Sequence, residues 1–386
     1  MIVKRIDIRP ILAFNAEKTI EVELETEKGT VRASVPFGTS RGSHEVKYLP
    51  VESAMNKFYL YRRAFTRETF DGIREVDEDI KKLDGTSNFS TIGGNLSLGV
   101  SMAFLKAFAL SEGKEVFEML LEKKPIMPIP LCNMIGGWGG ISDIQEYMLY
   151  PVHQESFSKS MFMMAELYRF VENRLSKIDK NFLHGRNLES GWITSLKIDE
   201  VLSMLTEICK EHMLRIGVDF AASGLYDGTY YNLKNEGLKL TIREYRDFVL
   251  KLVKKYPIHY IEDPFEEDDF NSFSTLLEKA QPRLVCGDDL YTTNLVRLNR
   301  GIKLKSSNAV LIKPNQIGTI SDTIEVVNTA KKYGMKTVMS HRSGETEDTL
   351  ISHLAVGLGC DFVKMGIAGE RVVKLNELAR IEEKLK

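Results

Sequence analysis

KTVMSHRSGETEDT (336–349) begins as a strand and ends as something else. A short apolar lead through Val338 and Met339 runs into ten residues with almost nothing to bury. An ordinary solvated loop has no need to follow a buried strand with Ser340, His341, Arg342 and Ser343 in succession. The stretch therefore reads as a strand end that delivers polar groups to a site. The pattern recurs along the second half of the chain. LRIGVDF runs to Asp219, IHYIEDP to Glu262 and Asp263, RLVCGDD to Asp288 and Asp289, NAVLIKP to Lys313, and CDFVKMG to Lys364. With the opening stretch these make six β-favouring runs separated by amphipathic, helix-like sequence, roughly 24 to 43 residues apart, the spacing of strand–helix units in a (β/α)8 barrel. A parallel strand buried on both faces is almost wholly apolar, so its charge collects at its end. In a barrel those ends share one cavity.

The rest of the chain fits around that reading. At 386 residues it is long for a single core, and a barrel plus an additional domain accounts for the length. The segments IVKRIDIRPIL, KTIEVELETEKG and TVRASVPFG alternate like strands, with Lys28-Gly29 as a turn. Helical spacing begins near Ser53, and Asn95 to Leu121 reads as a long helical segment broken near Ser111-Glu112-Gly113. The proline-rich KKPIMPIP marks a junction, placing an N-terminal α+β domain at 1–124 and a barrel domain at 125–386. Helices are expected over 156–178 and 195–213, and the Met161, Met163 and Met164 stripe of the first reads as core filling. A net charge of -2 gives no reason to expect nucleic acid or an anionic membrane as partner. Four scattered cysteines with no CxxC pair suggest reduced thiols in a cytoplasmic protein. MIVKRIDIRPILAF lacks the apolar core of a signal peptide, and no apolar run reaches the ~18 residues of a membrane span.

Any one of the charged strand-end residues has an ordinary reading as a helix cap or surface ion pair. Converging on one barrel mouth, they ask for more. Carboxylates at Asp219, Glu262 and Asp288 repel one another unless protonated or bound to a cation. An all-oxygen set without His or Cys suits Mg2+. Lys313 and Lys364, beside a dication in a partly dry pocket, are expected to have lowered pKa values and to serve as bases. Lysine with Mg2+ suits removal of a proton α to a carboxylate, because the dianionic enolate needs metal charge against it.

SHRSGETED (340–348), NQIGT (315–319), EDPFEEDD (262–269), GDDL (287–290) and RIEE (380–383) resemble the motifs of the enolase family. The similarity runs in order through TIEVEL, VPFGTSRG, GGNLSLGVS and QEYMLYPV, so it covers nearly the whole chain. It implies an α/β fold with a TIM-like barrel of ββαα(βα)6 order behind an N-terminal α+β domain, and dehydration of 2-phosphoglycerate to phosphoenolpyruvate. By motif position, Asp219, Glu262 and Asp288 would hold a first Mg2+, with Ser40 helping to bind a second. Lys313 would be the base, and Lys364 would bind the substrate carboxylate. Glu189 would be the general acid with Glu146 as its partner. Arg342 and Ser343 would grip the phosphate, and His341 would line the leaving-group side. A homo-oligomer is the family expectation.

The departures cluster in the loops. IGGWGGISDIQE (135–146) is short and lacks the family's histidine, with Trp138 nearby. The family's DEGG is LESG here, placing Leu188 beside Glu189, where desolvation is expected to raise the Glu189 carboxyl pKa. AASG puts Gly224 where a carboxylate is usual, FGTSRG adds Arg41, and MGIAGER is shortened. His184 is a candidate replacement for the missing histidine. Three functions remain open on these grounds: the enolase reaction, an enolase-like lyase acting on a different phosphorylated acid, and a non-catalytic homologue. Retained lysines and metal carboxylates weigh against the last, since buried charge without purpose is costly.

Overall fold

The computed structural model describes residues 1–386 apart from 40, 67–68 and 138–141. Strands β1 (Val3–Leu12), β2 (Lys18–Thr26) and β3 (Gly29–Ser34) form an antiparallel sheet in that order. Helices α1 (Val51–Tyr61), α2 (Ile73–Asp84), α3 (Gly94–Glu112) and α4 (Val116–Leu120) complete the first unit. The expected break falls at Gly113, whose φ of 67° gives the left-handed cap that ends α3. Among the described residues α3 is the one helix long and apolar enough to cross a membrane. It is instead the core helix of this unit, packed on β2 and β3 with 83% of its apolar window buried.

The second unit begins with two strands, β4 (Ile129–Gly136) and β5 (Glu146–Pro151), then two helices, α5 (Phe157–Ile178) and α6 (Ile198–His212). Six strand–helix units follow. They are β6 (Leu214–Asp219), a small hairpin of β7 (Tyr230–Leu233) and β8 (Leu238–Thr241), and α7 (Ile242–Lys255); β9 (Ile258–Glu262) and α8 (Phe270–Ala280); β10 (Leu284–Gly287) and α9 (Leu295–Leu304). Next come β11 (Ala309–Ile312), the short α10 (Pro314–Ile317) and α11 (Ile320–Lys332); β12 (Lys336–Ser340) and α12 (Leu350–Gly357); β13 (Phe362–Lys364) and α13 (Val372–Lys384). The barrel closes in the order β4-β5-β6-β9-β10-β11-β12-β13, with β5 antiparallel to its neighbours β4 and β6 and the other pairings parallel. This is the ββαα(βα)6 order expected from the sequence.

A two-residue strand period converts the barrel core into a platform for chemistry. Leu131, Met148, Tyr260, Cys286, Leu311, Val338 and Phe362 belong to a separate apolar cluster, the plug inside the barrel. Two residues beyond Tyr260, Cys286, Leu311 and Phe362 stand Glu262, Asp288, Lys313 and Lys364. On β5, which runs the other way, Glu146 lies two residues before Met148. Asp219 is preceded at the same interval by Gly217, where a Cβ would sit 3.2 Å from the Leu131 side chain and 3.3 Å from that of Tyr260. The plug is filled by its neighbours there, and glycine leaves them room.

Candidate active site

Register brings the acids level with one another. Glu146 on β5 pairs with Asp219 on β6, and Asp219 pairs with Glu262 on β9. Lys364 projects among all three: its Nζ lies 2.7 Å from Asp219 Oδ2 and 2.8 Å from Glu262 Oε1, and it also forms an ion pair with Glu146. Glu262 additionally accepts from the Tyr260 hydroxyl at 2.7 Å. Burial, then the Asp219 carboxylate, push the Glu262 carboxyl up to about 8. Asp288 is held differently. Its Oδ2 accepts from Lys313 Nζ at 2.5 Å and its Oδ1 from Gln316 Nε2 at 2.8 Å, and Gln316 is oriented in turn by the Thr293 hydroxyl at 2.7 Å. Burial works against the Asp288 charge, but Lys313 outweighs it and keeps the carboxyl below its usual range.

Asp263 supports this wall. It adopts φ 37°, a left-handed conformation costing of order 1–3 kcal/mol for such a residue. Its two oxygens accept from the backbone N–H groups of Asp288 and Asp289 at 2.8 and 2.6 Å. The aspartate of EDP thus fixes the turn that carries Asp288. Asp219 and Glu262 are bridged by Lys364 and Asp288 is held by Lys313, an all-oxygen acidic wall of the kind a hard divalent cation takes; among the described residues, Asp263, Asp288 and Asp289 bring carboxylate oxygens within 4.8 Å of one another.

The opposite side carries Glu146, Glu189 and His341, which offer a ring nitrogen and two carboxylate oxygens all within 4.8 Å of one another. Glu189 sits on a turn organised by Asn187, whose Oδ1 accepts from the Glu189 and Gly191 N–H groups at 3.1 and 2.9 Å. Trp192 locks that turn to α5 by stacking on Tyr168 and donating to its carbonyl at 3.1 Å. The two glutamates share a proton unequally. Desolvation and the Glu189 charge drive the Glu146 carboxyl well above its ordinary value, while Lys364 overcomes the desolvation of Glu189 and lowers it. Leu188 was expected to raise Glu189. The charged neighbours, Lys364 first, outweigh the desolvation and lower the Glu189 carboxyl instead.

The polar loop divides its work. Arg342 reaches the first unit, where Glu45 takes its guanidinium with two bonds of 3.0 and 3.1 Å, and Asn315 accepts at 3.2 Å. Ser343 Oγ meets the backbone N–H and hydroxyl of Thr39, both at 2.9 Å. The acidic residues are staples: Glu345 pairs with Lys374 at 2.8 Å, and Asp348 with Lys106 at 2.6 Å. Arg371, fully buried, donates to His341 Nδ1 at 3.1 Å and to the carbonyls of Arg342 and Ser343 at 3.1 and 3.3 Å.

Asp219, Glu262, Asp288, Lys313, Lys364, Glu146, Glu189, His341 and Arg342 therefore meet at one end of the barrel. Two further expectations change. The lysine pKa values are raised, not lowered: desolvation opposes the charge of Lys313 and Lys364, but Asp288 beside one and Asp219, Glu146 and Glu262 around the other prevail. His184 is exposed and pairs with Glu172 on α5 at 2.9 Å, so it does not stand in for the missing loop histidine. Ser40 and Trp138 lie outside the described residues. Glu45, Gln316 and Arg371 were not anticipated. Each acts through a partner distant in sequence, and the one local signal was their occurrence inside or beside recognised motifs.

Two family models divide the chain between them. "Enolase, C-terminal TIM barrel domain" matches residues 124–386, and "Enolase, N-terminal domain" matches 3–120. Proteins named enolase are similar over nearly the full length. That of Pyrobaculum aerophilum is 36% identical, covering 98% of this chain and 96% of its own. That of Methanocorpusculum labreanum is 37% identical, over 97% and 98%. That of Halobacterium salinarum is 36% identical, over 99% of both.

Proposed function

The chain belongs to the enolase family, and from that premise we infer that it is a hydro-lyase dehydrating 2-phosphoglycerate to phosphoenolpyruvate. The observation that carries this reading is the pairing of Lys313 with Asp288 on one side of the barrel mouth and the proton-sharing Glu146–Glu189 couple on the other. An α,β-elimination needs a base and an acid on separate groups, and the site offers both.

Asp219, Glu262 and Asp288 would hold Mg2+, which would supply positive charge against the negative charge that builds on the substrate. Two such ions are proposed, the second with Ser40. Lys313 Nζ takes the C2 proton. Desolvation and the nearby Arg342 and Lys364 charges pull against a proton on this amine, while Asp288 favours its ammonium form. Lys364 binds the substrate carboxylate and steadies the growing charge on it. The Glu146–Glu189 couple holds one proton at the place where hydroxide departs, and His341 lines that side. Arg342 and Ser343 take the phosphate; the Arg342 guanidinium is held in position by the Glu45 carboxylate, with bonds of 3.0 and 3.1 Å. A homo-oligomer in the cytoplasm is the proposed setting, supported by family membership.

The test is ultraviolet detection of phosphoenolpyruvate formed from 2-phosphoglycerate. Formation that depends on Mg2+ and stops on chelation is expected. A protein that binds Mg2+ without turnover would instead act on a different phosphorylated acid, the direction in which the altered loops point.

A further inference from the structure

His341 is buried at 2% exposure and touches two kinds of neighbour. Arg371 Nε lies 3.1 Å from its Nδ1, and a guanidinium has five N–H donors and no acceptor. The Nδ1 atom must therefore carry a lone pair, not a proton. Its Nε2 and Glu189 Oε2 have no hydrogen-bond partner among the described residues, while Glu146 forms an ion pair with Lys364. We propose that Arg371 is a positioning residue for the reaction, which fixes His341 as the neutral Nε2–H tautomer and leaves Nε2 as the one ring nitrogen able to offer a proton to the Glu146–Glu189 couple.

Three further observations bear on this. Arg371 is anchored at its other end by the carbonyls of Arg342 and Ser343, so the guanidinium cannot rotate away without releasing the phosphate-side loop. It also pairs with Glu370, its neighbour in the segment before α13. Burial, then Arg371, Lys364, Lys313 and Lys374, hold the imidazole well below its ordinary pKa and so favour the neutral ring. A neutral Nε2–H donor can solvate a departing hydroxide or the emptied carboxylate without becoming a competing acid. The wrong tautomer would turn a lone pair toward the ionised Glu189 carboxylate, and repulsion would open the couple.

The inference rests on the enolase reading for its consequence, but not for its measurement. Full-length protein with 15N-labelled histidine is examined by long-range proton–nitrogen correlation, and the His341 resonances are identified by their loss in His341→Asn. The wild type is expected to show the Nε2–H pattern. In Arg371→Lys, which keeps the charge but cannot reach His341 and both carbonyls together, that pattern should give way to a tautomer mixture. Turnover should then fall by about 10- to 100-fold with KM little changed, as for partners that orient a functional histidine. Free guanidinium added to Arg371→Ala should restore both. An Nδ1–H wild-type ring, or an unchanged His341 pattern in folded Arg371→Lys, overturns the proposal. A variant that loses turnover while its tautomer stays fixed shows a merely structural arginine and overturns it too. If the wild type makes no phosphoenolpyruvate yet shows the Arg371-dependent tautomer, the reaction reading fails and the positioning role stands.

Discussion

The two sides of the barrel mouth handle buried charge in opposite ways. On the β9–β11 side each carboxylate has a cation or a fixed donor: Asp288 has Lys313 and Gln316, Glu262 has Lys364 and Tyr260. On the β5 side Glu189 Oε2 and His341 Nε2 have no hydrogen-bond partner among the described residues, and Glu146, though paired with Lys364, has a carboxyl driven well up beside the lowered one of Glu189. The paired side is built from strand ends, whose direction is fixed by the apolar plug two residues below. The unpaired side is built where a strand end meets the turn that Asn187 organises around Glu189. Groups satisfied by the protein are poised to hold charge; groups left unsatisfied are poised to exchange a proton.

That contrast breaks first at Lys313. Lys313→Ala should lower turnover by about 10^2- to 10^4-fold and, more tellingly, stop exchange of the C2 hydrogen with solvent deuterium. Exchange at the normal rate would move the base elsewhere. The complementary change is Glu189→Gln, which keeps the shape of the couple but removes its ionised member. Dehydration should fall by about 10^2-fold or more while C2 exchange persists, because the paired side is untouched. Equal loss of both would mean the two sides act as one unit.

Asp288→Asn sharpens the electrostatic half of the comparison. It deprives a Mg2+ site of one negative ligand, so metal titration should shift to higher concentration. It also removes the carboxylate that raises Lys313, so the acid limb of the pH–rate profile should move to lower pH. An unchanged limb would separate the rate from Lys313 ionisation.

Much of the paired side was legible in the sequence because strand periodicity forces it. Once Leu311, Phe362 and Tyr260 belong to a plug, Lys313, Lys364 and Glu262 must point the same way. Pairings across the chain were not legible. Nothing in SHRSG names Arg371, nothing in NQIGT reveals that Gln316 braces Asp288, and Glu45 meets Arg342 from 297 residues away. The lysine pKa values were misjudged for the same reason: burial can be read from an apolar run, but the number of carboxylates around one ammonium cannot.

Asp77 is a control outside the site. This buried acid on α2 accepts from Ser321 N–H at 2.8 Å, while its Oδ1 has no hydrogen-bond partner among the described residues; burial pushes its carboxyl up to about 6. A folded-state pKa raised above the unfolded value near 3.8 gives stability that is complete below that value and is lost as pH rises through about 6. At 1.36 kcal/mol per unit, the roughly two units correspond to about 3 kcal/mol. Asp77→Asn keeps an acceptor for Ser321 and cannot ionise, so denaturant unfolding from about pH 4 to pH 8 should lose that much of its decline, with turnover unaffected. A parallel decline in both proteins would show that Asp77 keeps its charge through an unseen compensation.

The smallest effect is expected at His184. If the altered rim had recruited a new histidine to manage the leaving group, this residue is the one the sequence offers, since it lies four positions before Leu188. Its ring instead packs beside Phe182 and pairs with Glu172 at the surface, in a left-handed turn with φ 57°. An exposed pair of this kind contributes about 0–1 kcal/mol to stability and nothing to a buried proton couple. His184→Gly relieves the positive φ and removes the ring together, so kcat and its pH profile should match the wild type. A changed profile would place a third titrating group on the unpaired side, and the division between the two walls of the mouth would no longer rest on Glu146, Glu189 and His341 alone.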